Sequence, residues 1–209
     1  MTDRRLPPNP FATRSTRPGA VPWQPLPDAP DELLERLAQG GGRGAICGPH
    51  GSGKSTLLQH LLAAAAERGW KTRLVAIRSQ ADLGRAVAAI VLAAGRGCWL
   101  GIDSWEKLGR FGRPLAWLAR RRGGQIVVTT HQPTGYWPVL VNIRPDEETF
   151  RRLVAQLLRQ ADGSHSRAAV FEPPQLDAIF RRHRGNIREA FFELYDHFEQ
   201  VSRPSAGET

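Results

Sequence analysis

Apolar residues recur along this chain with two periods, and the place where one gives way to the other divides it. Between residues 43 and 143, short runs of apolar and β-branched residues alternate with segments whose apolar positions repeat every three or four residues. The first pattern marks strands and the second amphipathic helices. Ala45, Ile46 and Cys47 end a first strand, and the stretch from Lys54 to Arg68 carries Leu57, Leu58, Leu61, Leu62 and Ala65 on one helical face before Gly69. Thr72 to Ile77 reads as a second strand. Ser79 and Asp82 then resemble a capping box for a helix running through Leu83, Val87, Ile90 and Val91 towards Gly95. Cys98 to Ile102, ending at Asp103, is a third strand, Gln125 to Thr130 a fourth and Val139 to Ile143 a fifth. Strands that alternate with helices need crossover connections, so the expected core is α/β, a parallel five-stranded sheet flanked by helices.

Beyond Pro145 only the helical period remains. Phe150, Leu153, Val154, Leu157 and Leu158 form one face, Leu176, Ile179 and Phe180 a second, and Ile187, Ala190, Phe191, Leu194, Tyr195 and Phe198 a third. Gly163, Pro173-Pro174 and Gly185-Asn186 separate them, which predicts a small helical lid. At the other end, Pro7, Pro8, Pro10, Pro18, Pro22, Pro25, Pro27 and Pro30 exclude a long helix or a central strand. That stretch reads as an extended arm with Phe11, Val21 and Trp23 as apolar anchors able to lie across the core. Asp31 opens a helix with Leu33, Leu34 and Leu37 on one face, closed by Gly40-Gly41-Gly42. The expected organisation is an arm over 1–30, a core over 31–145, a lid over 146–202 and a disordered tail over 203–209.

The strand, loop and helix at residues 45–68 frame Gly48-Pro49-His50-Gly51-Ser52-Gly53-Lys54-Ser55-Thr56, which fits G-x-x-x-x-G-K-[ST]. Glycines let backbone N–H groups wrap a phosphate, the helix N-terminus adds its positive dipole end, and Lys54 supplies a cation for the outer phosphates. Ser55 is placed to ligate Mg²⁺, and Asp103, delivered by an apolar strand, supplies the acidic partner such a metal needs. Thr130 and His131, at the end of the fourth strand, face the γ-phosphate if that strand lies between the first and third. The base for hydrolysis is open from the residues alone. Position 104 is Ser, and the next acid is Glu106. A turn at Ser104-Trp105 would swing Glu106 towards the γ-phosphate, whereas a helix starting there would leave it a solvated first-turn acid.

Composition narrows the setting. At 209 residues and 41% hydrophobic, the chain suits one α/β domain and a small appendage. It has no apolar run near the ~20 residues that span a bilayer and no apolar signal core at its start, so a cytoplasmic protein without a membrane span is expected. Cys47 and Cys98 fall in expected buried strands, as reduced structural thiols. A net charge of +9 favours a polyanionic partner. Arginine-rich composition also follows from a genome rich in G and C. The densest run is Lys107 to Arg122, with Lys107, Arg110, Arg113, Arg120, Arg121 and Arg122 beside Trp105, Phe111 and Trp117. It reads either as a solvated helix face or as a nucleic-acid surface with stacking rings.

Taken in order, over about residues 31–202, these parts resemble the AAA+ branch of P-loop ATPases. Lys54 and Ser55 match its Walker A motif, Asp103 its Walker B acid, Thr130-His131 its sensor 1 region and Gly185-Asn186-Ile187-Arg188-Glu189-Ala190 its sensor 2 segment. The resemblance implies ATP and Mg²⁺ as ligands and a role for Arg188 at the β- and γ-phosphates. Asn9-Pro10-Phe11 also resembles an arm of some family members that lies near the adenine. Two departures stand out. Ser104 replaces the usual Glu, and the loop from Gln132 to Pro138 is too short for the helix that usually bears an inter-subunit arginine finger. The implied function is slow Mg²⁺-dependent ATP hydrolysis coupled to lid movement and to a partner protein or nucleic acid, with the oligomeric state open. The alternatives are a non-catalytic nucleotide-dependent adaptor and a P-loop kinase acting on a small molecule.

Overall fold

The computed structural model describes residues 9–16, 30–92, 98–122, 125–162 and 171–202. Val21, Trp23, Gly95, Gly123-Gly124, Gly163 and the tail from Arg203 lie outside them. The chain divides into two compact units, one over residues 25–144 and one over residues 145–209 together with 1–24.

The first unit is the α/β core. Helix α2 (Pro30–Gln39) starts at a proline, where the missing N–H costs nothing, and carries Asp31 and Glu32 in its first turn. It buries Leu33, Leu34 and Leu37. Strand β1 (Arg43–Cys47) leads to α3 (Lys54–Glu67), β2 (Lys71–Ala76), α4 (Leu83–Leu92), β3 (Cys98–Asp103), a 3-10 segment (Trp105–Phe111), α5 (Gly112–Arg122), β4 (Gln125–Thr130) and β5 (Val139–Asn142). The five strands form one sheet in the order β2-β3-β4-β1-β5, and every pairing is parallel. Burial explains the order. Strands β1, β3 and β4 are buried at nearly every position, as central strands covered on both faces must be, while β2 at the edge buries only Val75. Helix α3 lies close on the sheet because β3 has a glycine beneath it. A Cβ on Gly101 would come within 2.7 Å of Leu62 Cδ1.

Observed strand ends differ from the expected ones by a residue. Strand β2 starts at Lys71 and β5 stops at Asn142, yet the ladder continues past both as single bonds, Ile77 N to Asp103 O at 2.9 Å and Ile143 N to Cys47 O at 2.7 Å. Both cysteines are free thiols, Cys47 buried and Cys98 partly so.

The second unit is helical, with α6 (Glu147–Asp162), α7 (Pro173–Arg182) and α8 (Ile187–Ser202). A single turn, α1 (Thr13–Thr16), departs from the extended arm expected there. No proline lies between Pro10 and Pro18, which leaves room for it. Phe11 is 1% exposed within the apolar cluster of this unit. Its ring meets Phe171 edge-on at 5.8 Å and Phe198 at 6.2 Å. The Asn9 amide donates to Tyr195 O at 3.1 Å and to Glu199 Oε1 at 2.9 Å, tying the segment to α8.

Candidate functional site

The strand order reverses between β4 and β1, the point in an open parallel sheet where a crevice opens beyond the carboxyl ends of the strands. The loop from Gly48 to Gly53 leaves β1 at that point. Gly48 is confined, since a Cβ there would come 2.6 Å from Ile143 O and 2.7 Å from Ser52 Oγ. Gly53 precedes α3 at φ 91° in the left-handed region, which costs an L side chain roughly 1–2 kcal/mol. Gly51 is also left-handed, at φ 69°. Pro49 and His50 are exposed, and Thr56 is half-buried in the first turn of α3. Ser52 is 3% exposed, and its hydroxyl has no hydrogen-bond partner among the described residues.

Lys54 turns back into the loop. Its Nζ donates to Gly48 O at 2.8 Å and to Pro49 O at 2.6 Å. Burial pushes this ammonium down from its ordinary 10.5, while the Glu106 and Asp103 carboxylates and Cys47 oppose the shift. Two loop carbonyls thus hold the charge in place.

Asp103 is the hub on the other side of the crevice. It accepts from Ser55 Oγ at 2.9 and 3.0 Å on its two oxygens, and from Thr129 Oγ1 at 2.6 Å. Thr129 also accepts from Ser104 N at 2.8 Å, fixing the turn that follows β3. The sequence pointed to Thr130 here. Its hydroxyl instead donates to Gln132 O at 2.8 Å and lies 3.4 Å from Cys47 Sγ, fully buried. Thr129 was legible only through pairing. Ile102 is opposite Val128, so the next residues along, Asp103 and Thr129, share a sheet face. Ser55 and Asp103 present hard oxygen donors suited to Mg²⁺. Among the described residues no group of three or more His, Cys, Asp or Glu is placed to hold a metal.

The structure places Glu106 at the start of the turn that follows β3. A 3-10 turn does begin at Trp105, but Ser104 before it adopts φ 62° and ψ 50°, and this left-handed residue turns the chain back on itself. The Glu106 side chain is partly buried, 26% exposed. Its Oε1 lies 3.3 Å from His131 Nε2, and its buried Oε2 has no hydrogen-bond partner among the described residues. The His131 ring packs on that of His50 with centroids 3.8 Å apart. Desolvation lowers the pKa of His131 below 6.5, with Lys54, His50 and Lys107 adding to the effect and Glu106 opposing it. Lys54, Ser55, Asp103, Glu106, Thr129 and His131 all belong to the α/β unit. Arg188 belongs to the helical unit. It is exposed at the start of α8, where Asn186 Oδ1 caps the helix by accepting from Arg188 N at 3.2 Å.

The basic segment forms the 3-10 turn and α5. It contains no Asp or Glu between Lys107 and Arg122. The Arg121 guanidinium lies 4.1 Å from the centroid of Trp117, a ring that is 56% exposed, and Arg110 lies 4.9 Å from Phe111. Arg120 is engaged elsewhere, donating to Tyr136 O at 2.9 Å.

No protein-family model and no curated protein matches the chain. Solved structures do. The chain is similar to AMPPCP-bound DnaA from Aquifex aeolicus, at 17% identity over 83% of this chain and 63% of that one, with a TM-score of 0.52. It is likewise similar to a DNA replication initiation factor, at 16% identity over 82% of this chain and 63% of that one, with a TM-score of 0.50. The chain thus spans less than two thirds of the length of either neighbour. What the likeness establishes is architecture: this chain shares the parallel, helix-flanked α/β fold of those two structures.

Proposed function

We propose that the chain binds ATP with Mg²⁺ in the crevice between the Gly48–Thr56 loop and Asp103, and hydrolyses it slowly. The observation that carries this reading is the bond from Ser55 to Asp103, which joins the two metal-binding elements across the sheet. Lys54 exchanges its two loop carbonyls for the outer phosphates of the nucleotide. Ser55 and Asp103 would hold and orient Mg²⁺, which when bound would supply charge neutralisation at the phosphates. Glu106 takes the place that Ser104 leaves empty and accepts the proton of the attacking water. The sensor 2 resemblance assigns Arg188 a role at the γ-phosphate, with nucleotide state passed to a partner. The AMPPCP bound to the DnaA neighbour supports nucleotide as the ligand. A kinase is less favoured, because the helical segment follows all five strands instead of interrupting them.

A nucleic-acid contact on α5 is the second element of the proposal, favoured by the exposed Trp117 with Arg121 stacked on it. Phosphate release, measured alone and with single-stranded DNA or RNA, tests the whole reading. Glu106→Gln should keep ATP affinity while lowering turnover by roughly a hundredfold or more, the scale of lost general-base assistance. ATP binding with no phosphate release under any condition would leave a nucleotide-dependent adaptor in its place.

A further inference from the structure

The edges of a sheet carry backbone groups that no neighbouring strand satisfies, and the two edges of this sheet differ. At β5 the carbonyl of Leu140 accepts from Arg36 of α2 at 3.4 Å, so a helix side chain caps that edge. Strand β2 has no such cap among the described residues. It pairs with β3 alone, and Lys71, Thr72, Arg73 and Leu74 are all exposed. Ile77 N donates to Asp103 O, so by the alternation of a strand the N–H and C=O groups of Thr72, Leu74 and Ala76 point away from β3 and out of the sheet.

Side chains divide the same strand into two faces of different chemistry. Leu74 lies opposite Gly101, the glycine beneath α3, so Thr72 and Leu74 share the α3 face. Leu74 is 43% exposed there, and the equally exposed Trp70 meets Trp99 edge-on at 6.4 Å. Lys71 and Arg73 alternate to the other face with Val75, and neither has an acidic partner among the described residues. The edge is thus apolar on one face and basic on the other.

We propose that the β2 edge takes up an extended segment of a partner protein, added as a sixth strand, in which acidic residues alternate with apolar ones. The acidic side chains meet Lys71 and Arg73, the apolar ones cover Leu74, and the backbone of the segment pairs with Thr72, Leu74 and Ala76. A second copy of this chain is the competing occupant, and charge decides against it. Residues opposite one another across a ladder share a face, so pairing β2 with itself gathers four cations on one face with no acid between them. The charges that keep copies apart attract a segment of opposite sign. Nothing in this inference depends on nucleotide hydrolysis.

The test uses the full chain and a short fluorescein-labelled peptide in which Glu alternates with Val and Thr, followed by anisotropy. Binding should weaken as salt rises, and a counterpart with Lys in place of Glu should bind at least about tenfold more weakly. Lys71→Glu combined with Arg73→Glu should reverse that order of preference, an outcome that a misfolded variant cannot produce. N-methylation of every second peptide amide should abolish binding in one of its two frames and spare it in the other, because only one set of amides faces the ladder. The amides of Thr72, Leu74 and Ala76 should gain protection from hydrogen exchange when the peptide is bound. The proposal is overturned by no binding of the acidic peptide at millimolar concentration, by equal affinity for both peptides, or by equal loss on N-methylation in either frame. Protection of these amides that rises with protein concentration in the absence of peptide also overturns it, and assigns the edge to a second copy.

Discussion

At the scale of the residue, the crevice is a set of charges held by neutral partners. Lys54 illustrates this. Its ammonium is buried, 8% exposed, and held by two carbonyls of its own loop, so it is oriented before any anion arrives. Truncation to Ala removes charge-assisted bonds of about 1.5–3 kcal/mol in total and should weaken ATP at least about tenfold, read by titration of a fluorescent analogue. Near-normal affinity would mean that the loop does not bind phosphate through this side chain. The motif made Lys54, Ser55 and Asp103 legible in the sequence because their spacing is set by chemistry. Thr129 and the Glu106–His131 contact were not, because they depend on register between β3 and β4 and on the left-handed turn at Ser104. A serine carries no mark in the sequence of a positive φ, which is the reason the two alternatives for Glu106 stayed open.

At the scale of the element, strand identity followed from apolar runs, and the capping box at Ser79 and Asp82 is present in the structure, with Ser79 N donating to Asp82 Oδ2 at 3.2 Å. The order of the strands did not follow from the runs. Insertion of β4 between β1 and β3 is a property of pairing over long separations, and the sequence carried it only as a condition on where Thr130 and His131 would face. Helix α5 is where composition and structure meet. Its arginines divide into one that ties a loop, Arg120, and others left exposed, Arg113 and Arg121. Charge reversal at Arg113 and Arg121 should therefore spare the fold and weaken binding to single-stranded nucleic acid, reducing the dependence of log K on log salt by about 0.7 per lost phosphate contact. An unchanged salt slope in a fluorescence-anisotropy titration would remove α5 as the contact surface.

At the scale of the molecule, the chain makes two units, one of them from two segments that are not consecutive, and Phe11 belongs to that one, completed by α6, α7 and α8. Phe11→Ala opens a cavity in that cluster and should cost about 3–5 kcal/mol. Native-state hydrogen exchange is the measurement that assigns the loss. Protection should drop in α6, α7 and α8 and persist in β1, β3 and β4, whereas an equal drop in both units would show that they unfold together. The bond between Asn9 and the carbonyl of Tyr195 closes a separation of 186 residues. Synthesis at about 5–20 residues per second puts on the order of 10–40 s between the appearance of Asn9 at the ribosome and that of its partner. Phe11 spends most of that interval without the rings that will cover it, and the strands and their crossover helices are synthesised before any of those rings appears. A chaperone that recognises exposed aromatic side chains would find its target in this segment during translation, and lose it when α8 emerges.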